Sequence, residues 1–431
     1  MKAVILAAGE GKRLRPITSS KPKPMIPLLG KPLLERIILG LKEIAIDHIL
    51  LIVGYKQEII KEYFKKVAID LKIKIDYITQ EEYLGTAHAA GYAKDFIKDE
   101  TFLMMYGDIF IDTEIFKAIL QTYKKNKVDG LITLKKVDNP QEYGIIKLNS
   151  DGLVEQIIEK PDPELKAGNL ANAGIFIFNQ LIFKAIEKTQ KSIRNEYEFT
   201  DSMKILINEL DGKIIGFTLN DFFWSDIGLP WQLFETSHFL LDKLKKQING
   251  NIEENVKIQG EVYIGKGTNV KSGSYIQGPC YIGENNLIGP NAFIRPYTSI
   301  ENNSHIGMSE VKNSLIFSDT SIPHFNYVGD SIICSNVNLG AGTKISNLRF
   351  DNNTIKMKIK DKLIDSGRRK LGAVFGPNSQ TGINASIMCG KKVGQNSIIG
   401  AHTIVNEDVE PNTLYYQNSN GTVIKKSIQI K

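Results

Sequence analysis

Cysteine is scarce: Cys280, Cys334 and Cys389 are the only three in 431 residues, and they fall in no CxxC pair or Cys/His cluster. Neither a disulfide framework nor a zinc site is supported by that spacing, and small buried hydrophobes are the expectation. Long apolar runs are missing too. The run before Gly9 is too short for a signal peptide and nothing later reaches membrane-spanning length, so a cytoplasmic location is expected. Charge is close to balanced, with a net +6 spread along the chain. That suits anionic phosphorylated substrates, and no basic run interleaved with aromatics marks a nucleic-acid surface. Two common phosphate-binding signatures are absent as well. No lysine-serine pair completes GxxxxGK[ST], and Leu14 stands where GxGxxG needs its third glycine.

What is present reads as a globular chain, 42% hydrophobic and 24% charged. Its length is too great for one ordinary core, and two domains are expected. An apolar strand-length run over 2–6 leads into a loop carrying Gly9, Gly11, Arg13, Pro16, Lys23 and Gly30-Lys31-Pro32, and residues 33–46 then show apolar helical spacing. Gly9 and Gly11 can take positive φ and let backbone N–H groups close on phosphate oxygens, with Arg13 and Lys23 adding positive charge. At a strand end in an open α/β sheet this is a place for a nucleotide's phosphates.

The full pattern resembles the sugar-1-phosphate nucleotidyltransferases. The resemblance assigns Leu6, Ala8, Gly9 and Gly11 to the nucleotide and Arg13 and Lys23 to charge neutralisation. Up to about residue 226 the chain alternates strand-like runs (49–53, 73–78, 102–106) with helical stretches (57–67, 86–97), a βαβ rhythm that predicts a Rossmann-like, mostly parallel sheet. A second strand-end loop carries Gln80, Gly85 and Thr86. A glutamine can pair with a ring carbonyl and a ring N–H of a pyrimidine, and the resemblance places uracil or thymine here. His88 is read as a helix residue. Asp108 and Asp226 each end an apolar run. Two carboxylates with phosphate and water oxygens suit Mg²⁺, and the resemblance makes these two the metal ligands. It also carries Gly144, Glu159 and Asn172 onto the sugar and Lys160 near its phosphate. Residues 196–201 resemble a segment flanking the sugar pocket, although helix capping explains them almost as well.

Trp231, Phe234, His238, Leu241 and Leu244 predict an amphipathic helix over 230–247. Then a six-residue period runs through Ile252, Ile258, Ile264, Val270, Ile276, Ile282, Ile288, Ile294, Ile300 and Ile306, resuming at Ile333, Leu339 and Ile345 and again from Phe375 to Val405. Hexapeptide repeats of this kind predict a parallel β-helix. The expected domains are 1–229, a linker helix over 230–250, a β-helix over 251–410 and a tail over 411–431.

Residues that break the repeat carry chemistry. Arg295 and Lys312 can hold a sugar phosphate, Lys312 standing where the phase calls for an apolar residue, and a histidine such as His324 can take a proton from an amine. Together with Tyr327, Asn347 and the 336–343 glycine-rich stretch, they resemble the acetyltransferase half of the bifunctional N-acetylglucosamine-1-phosphate uridylyltransferase/glucosamine-1-phosphate acetyltransferase family. The resemblance implies a left-handed β-helix, a homotrimer, acetyl-CoA as donor, and Asn347 orienting the acceptor amine. Leu348 departs from that pattern, which has a tyrosine there. The charged stretch 349–370 departs from it as well and reads as a solvated loop. The domain order with its Gly-Glu-Gly-Lys-Arg loop looks archaeal. The expected function is acetylation of glucosamine-1-phosphate followed by transfer of UMP or dTMP from UTP or dTTP to a sugar-1-phosphate. The rivals are a monofunctional glucose-1-phosphate thymidylyl- or uridylyltransferase with a structural β-helix, and a noncatalytic exchange-factor-like subunit.

Overall fold

The computed structural model describes residues 1–165 and 168–429. They form two compact units. The first comprises Met1–Glu10, Pro22–Met25 and Leu33–Asp226, and the second Gly11–Lys21, Ile26–Pro32 and the chain from Ile227 on.

The first unit is built on a nine-stranded mixed sheet. Lys2–Ala7 lies at its centre, parallel to His48–Val53 on one side and to Phe102–Tyr106 on the other, with Lys74–Thr79 parallel beyond His48–Val53. The three inner strands read as continuous apolar runs because both of their faces are covered: Ala3, Val4 and Ile5 are fully buried, as are Ile49 to Val53, whereas the edge strand Lys74–Thr79 carries Lys74, Asp76 and Thr79 and is only partly covered. Beyond Phe102–Tyr106 the direction reverses. The long strand Leu170–Phe178 pairs antiparallel with it and with Gly130–Lys136. The parallel strands all end on one edge, where Gly9, Gln80 and Asp108 leave the sheet. The helical stretch expected over 86–97 is two helices, Thr86–Gly91 and Lys94–Ile97.

The second unit is a parallel β-helix. Its strands repeat every eighteen residues, as in Tyr263↔Tyr281 and Ser386↔Ile404, so three hexapeptides make one coil. The periodic residues point inward and stack: Ile264, Val270, Ile276, Ile282, Ile288, Ile294, Ile300 and Ile306 are all fully buried. Each such burial contributes roughly 1.5–3 kcal/mol. Asparagines at corners, among them Asn285, Asn303, Asn336 and Asn396, take positive φ, a conformation that their short polar side chains tolerate.

Several expectations change. Ile252 is exposed, because it lies in the first coil and has no earlier one to stack on. The helix spans only Gln232–Asp242, and strand Gln247–Ile248, inside the stretch read as a linker, already pairs with Val262–Ile264. Lys312 does not occupy an inward position. The repeat shortens to five residues at Val311, at Ile316 and again at Ile333, and the first of these steps places Val311 in the core and turns Lys312 outward. Residues 349–370 contain a β-hairpin, Lys356–Ile359 against Lys362–Asp365, with Met357 and Ile359 buried and the lysines out. The tail is ordered into a second hairpin, Thr413–Gln417 with Val423–Ser427, which pairs with Ile398–Ile399 and seats Tyr415 in the core as a cap. Cys280 and Cys334 are buried as expected, and burial pushes both thiols up to about 12. Cys389 is half-buried.

Candidate active sites

In the first unit, strand ends bring cation and carboxylates together. Lys23, 5% exposed, donates from Nζ to Asp108 Oδ2 at 2.8 Å and to the main-chain oxygen of Asp226 at 2.6 Å. Tyr143 donates its hydroxyl to Asp226 Oδ2 at 3.2 Å. Strand Trp224–Ser225, just before Asp226, pairs with Phe110–Ile111, just after Asp108, and so brings the two aspartates to one place. The buried ammonium is stable because the Asp108 carboxylate matches its charge and the Asp226 carbonyl oxygen takes a second N–H.

Along the same edge, Gln80 is buried and donates through Nε2 to the Gly85 carbonyl at 3.4 Å, with His88 Nδ1 at 3.3 Å from the same nitrogen. Gly85 has φ +114°, and a Cβ there would lie 2.5 Å from the Tyr197 carbonyl oxygen. Thr86 Oγ1 accepts from the Phe199 N–H at 3.0 Å. Asn172 Oδ1 caps the Gly174 N–H at 2.9 Å, and its side chain also hydrogen-bonds the partly buried Tyr106, whose phenol desolvation drives well above its ordinary range. Gly144 faces Glu159 across the pair of strands they end, and a Cβ on Gly144 would be 2.8 Å from Glu159 Oε2. Lys160 has φ +44° and donates its N–H to the Tyr143 carbonyl at 3.0 Å, which sets it beside that strand.

The glycines of the first loop behave differently from one another. Gly11 has φ +69°, whereas Gly9 is not among the positive-φ glycines, and a Cβ on it would meet nothing within 4 Å. Open space above the strand end, rather than backbone conformation, is the property of Gly9. Leu6 and Ala8 flank that end, and Arg13 lies on the short turn Lys12–Leu14.

In the second unit a polar cluster interrupts the β-helix. Asn347 donates from Nδ2 to Asp330 Oδ2 at 2.5 Å and to the Tyr327 hydroxyl at 3.1 Å, and Lys312 Nζ lies 3.3 Å from Asp330 Oδ2. Arg295 donates to Glu310 Oε1 at 2.8 Å, and Glu310 sits opposite Tyr327 in the ladder. His324 is exposed on strand Ser321–Gly329, opposite Met308. A cavity of about 630 Å³ opens beside Tyr327 and Asn347, lined also by Lys344, Leu348, Phe350 and Met388.

A family model described as nucleotidyl transferase matches residues 2–243, more than half of the chain. The chain belongs to the nucleotidyl transferase family. A second model, described as the GMPPB C-terminal domain, matches residues 276–429. The chain is similar over nearly its whole length to a bifunctional protein GlmU of Methanocaldococcus jannaschii, 46% identical over 418 residues, covering 97% of this chain and 98% of that one. A bifunctional sugar-1-phosphate nucleotidylyltransferase/acetyltransferase of Sulfurisphaera tokodaii is 44% identical over 413 residues, covering 95% and 98%. Among solved structures, a UDP-glucose pyrophosphorylase complexed with UDP-glucose shares the fold of the first half, with TM-score 0.50 and 23% identity over 56% of this chain and 98% of that one.

In this nucleotidyl transferase four groups outside the expected site residues meet them or their neighbours. His88, taken as a plain helix residue, touches Gln80. The Tyr143 hydroxyl reaches Asp226. Glu198 makes no side-chain cap to helix Phe199–Asn208 and instead accepts from Arg194, which also reaches Glu159. The capping explanation for 196–201 therefore fails, and the segment packs against Gly85 and Thr86 through Tyr197 and Phe199. Asp330, fourth, is the hub of the second cluster. A phenol or carboxylate brought in from a distant strand leaves no local spacing signal, although Asp330 follows Gly329 in a stretch already marked by His324 and Tyr327.

Proposed function

We propose that this chain synthesises UDP-N-acetylglucosamine in two steps: acetyl transfer from acetyl-CoA to glucosamine-1-phosphate, then uridylyl transfer from UTP to the sugar-1-phosphate, with thymidylyl transfer from dTTP giving the corresponding dTDP-sugar. Support comes from the two full-length bifunctional relatives and from two separate polar clusters of the kinds the two reactions need. The observation that carries the bifunctional reading over the monofunctional rival is the Lys312, Tyr327, Asn347 cluster beside an open cavity, which a pure scaffold does not require.

For nucleotidyl transfer, a sugar-1-phosphate oxygen attacks the α-phosphorus of the nucleoside triphosphate and pyrophosphate leaves. Two anions must meet, so alignment and charge neutralisation do the work. Leu6, Ala8, Gly9 and Gly11 line the nucleotide, Gln80, Gly85 and Thr86 hold the base, and Arg13 and Lys23 face phosphate oxygens. Gly144, Glu159 and Asn172 hold the sugar, with Lys160 near its phosphate. Asp108 and Asp226 fit Mg²⁺: both are hard oxygen donors that the paired strands Trp224–Ser225 and Phe110–Ile111 bring to one place, and Asp108 is about half exposed. Among the described residues no group of three or more His, Cys, Asp or Glu could hold a metal ion, so phosphate and water oxygens would have to complete the shell of an ion held by these two aspartates. When bound, Mg²⁺ supplies charge neutralisation on the triphosphate.

For acetyl transfer, the sugar amine nitrogen attacks the thioester carbonyl carbon; a C–N bond forms, the C–S bond breaks, and coenzyme A leaves as its thiol. His324 removes the proton from the amine, Asn347 orients it, Arg295 and Lys312 hold the sugar phosphate, and Tyr327 packs at the sugar. A homotrimer is the expected assembly. Among the described residues no helix is long and apolar enough to cross a membrane.

The test is thiol release from acetyl-CoA with glucosamine-1-phosphate, galactosamine-1-phosphate or no acceptor, for wild type and His324→Ala. Acceptor-dependent release lost in the variant supports the reading. No release, with UTP or dTTP still consumed, favours a single-site nucleotidyltransferase.

A further inference from the structure

One buried carboxylate of the second unit has no part in the mechanism just described. Asp330 follows strand Ser321–Gly329 and is 3% exposed. Its Oδ2 accepts from Asn347 Nδ2 at 2.5 Å and from Lys312 Nζ at 3.3 Å, and its Oδ1 accepts from Asn313 Nδ2 at 2.6 Å. The Asn347 Nδ2 also reaches the Tyr327 hydroxyl at 3.1 Å. Gly329 makes the approach possible, since a Cβ there would lie 2.6 Å from Asn347 Nδ2 and 2.7 Å from the Tyr327 oxygen.

The chemistry of the partners fixes which way the Asn347 amide faces. A carboxylate only accepts hydrogen bonds. If the amide turned over, its oxygen would press against Asp330, and the buried carboxylate would lose a donor. With both N–H groups of Nδ2 directed to Asp330 and Tyr327, Oδ1 is the only part of the amide left to meet a ligand, and it can only accept. An amine or ammonium N–H is the complementary group. The same carboxylate holds the Lys312 ammonium, so one side chain sets the placement of two proposed acceptor contacts. On its other side, Asn313 Oδ1 pairs with His238 Nε2 at 2.6 Å, which ties Asp330 to helix Gln232–Asp242.

We propose that Asp330 is a positioning residue for acetyl transfer, orienting Asn347 so that Oδ1 receives the acceptor's amine and holding Lys312 for its phosphate. The inference rests on the acetyltransferase reading above. Asp330→Asn keeps the shape, removes the charge and gives position 330 N–H donors of its own, so Asn347 is free to turn and Lys312 loses its partner.

The experiment measures steady-state acetyl transfer to glucosamine-1-phosphate for wild type, Asp330→Asn, Asn347→Ala and the double variant, alongside nucleotidyl transfer and thermal melting. Asp330→Asn is expected to raise the KM for the amino-sugar phosphate at least tenfold, leaving the KM for acetyl-CoA and nucleotidyl transfer unchanged, with melting still well above the assay temperature. In the Asn347→Ala background the same substitution should cost much less, because part of its action runs through Asn347. An equal loss in both backgrounds, or no loss in either, overturns the proposal. Should Asp330→Asn not fold, Asn347→Asp keeps Asp330 and sets carboxylate against carboxylate. Its kcat/KM should fall at least threefold below that of Asn347→Ala, and a value equal to or above it overturns the proposal. A wild type that transfers no acetyl group to any amine removes the acetyltransferase reading itself, a result distinct from an active wild type indifferent to position 330.

Discussion

Gly85 shows how much one hydrogen atom in place of a side chain can matter. Its φ of +114° is strained for any other residue, and a Cβ would run into the Tyr197 carbonyl oxygen. Gly85→Ala is therefore expected to cost about 1–3 kcal/mol and to raise the KM for the nucleotide, read by thermal melting and steady-state kinetics. Lys23→Ala removes the ammonium that faces Asp108 and Asp226, and kcat for nucleotidyl transfer should fall by roughly 10²–10⁴, more than any change in stability would account for. His238 carries a pH effect. Burial holds its pKa below the ordinary histidine value of 6.5, with Arg368 adding to the shift. The unfolded chain then binds a proton that the folded chain refuses, so the stability contribution is present above about pH 6.5 and declines as pH falls toward the lower folded value. His238→Gln should show a smaller drop in melting temperature from pH 7 to pH 5 than wild type. An equal drop in both proteins would remove His238 as the source.

The elements of the β-helix are short, and most have only two or three residues, so each depends on its stacked neighbours. The open end of such a stack needs a lid. The hairpin of Thr413–Gln417 and Val423–Ser427 provides it, with Tyr415 fully buried against the last coil. Removing the chain from Pro411 on should uncover Ile399, on which Tyr415 stacks, and lower the melting temperature of this half by several degrees, which calorimetry would detect. The insertion 349–370 follows the same logic at its own scale. Alternation along Lys356–Ile359 buries Met357 and Ile359, and those two residues dock a hairpin that its lysines alone would leave in solvent.

At the scale of the molecule, two proposed reactions resting on two separate polar clusters predict separable losses. Asp108→Asn and Asp226→Asn should abolish nucleotidyl transfer while acetyl transfer persists, and His324→Ala should do the reverse. A folded variant lacking both activities would contradict separate sites. The sequence by itself determined what is periodic or local. The six-residue spacing of Ile264 to Ile306 dictated a stacked core, because a residue buried at one coil forces its counterpart in the next to be apolar, and the strand-loop order of Gly9, Gln80 and Asp108 placed one edge of a parallel sheet. Only the tertiary structure decided where the repeat slips by a residue, so that Val311 and not Lys312 faces the core. It alone decided which distant side chains meet: Tyr143 with Asp226, His88 with Gln80, Asp330 with Asn347. The reason is physical. Hydrophobic burial repeats along the chain and leaves a pattern there, whereas a hydrogen bond joins two atoms whose separation in sequence is set by the path of everything folded between them.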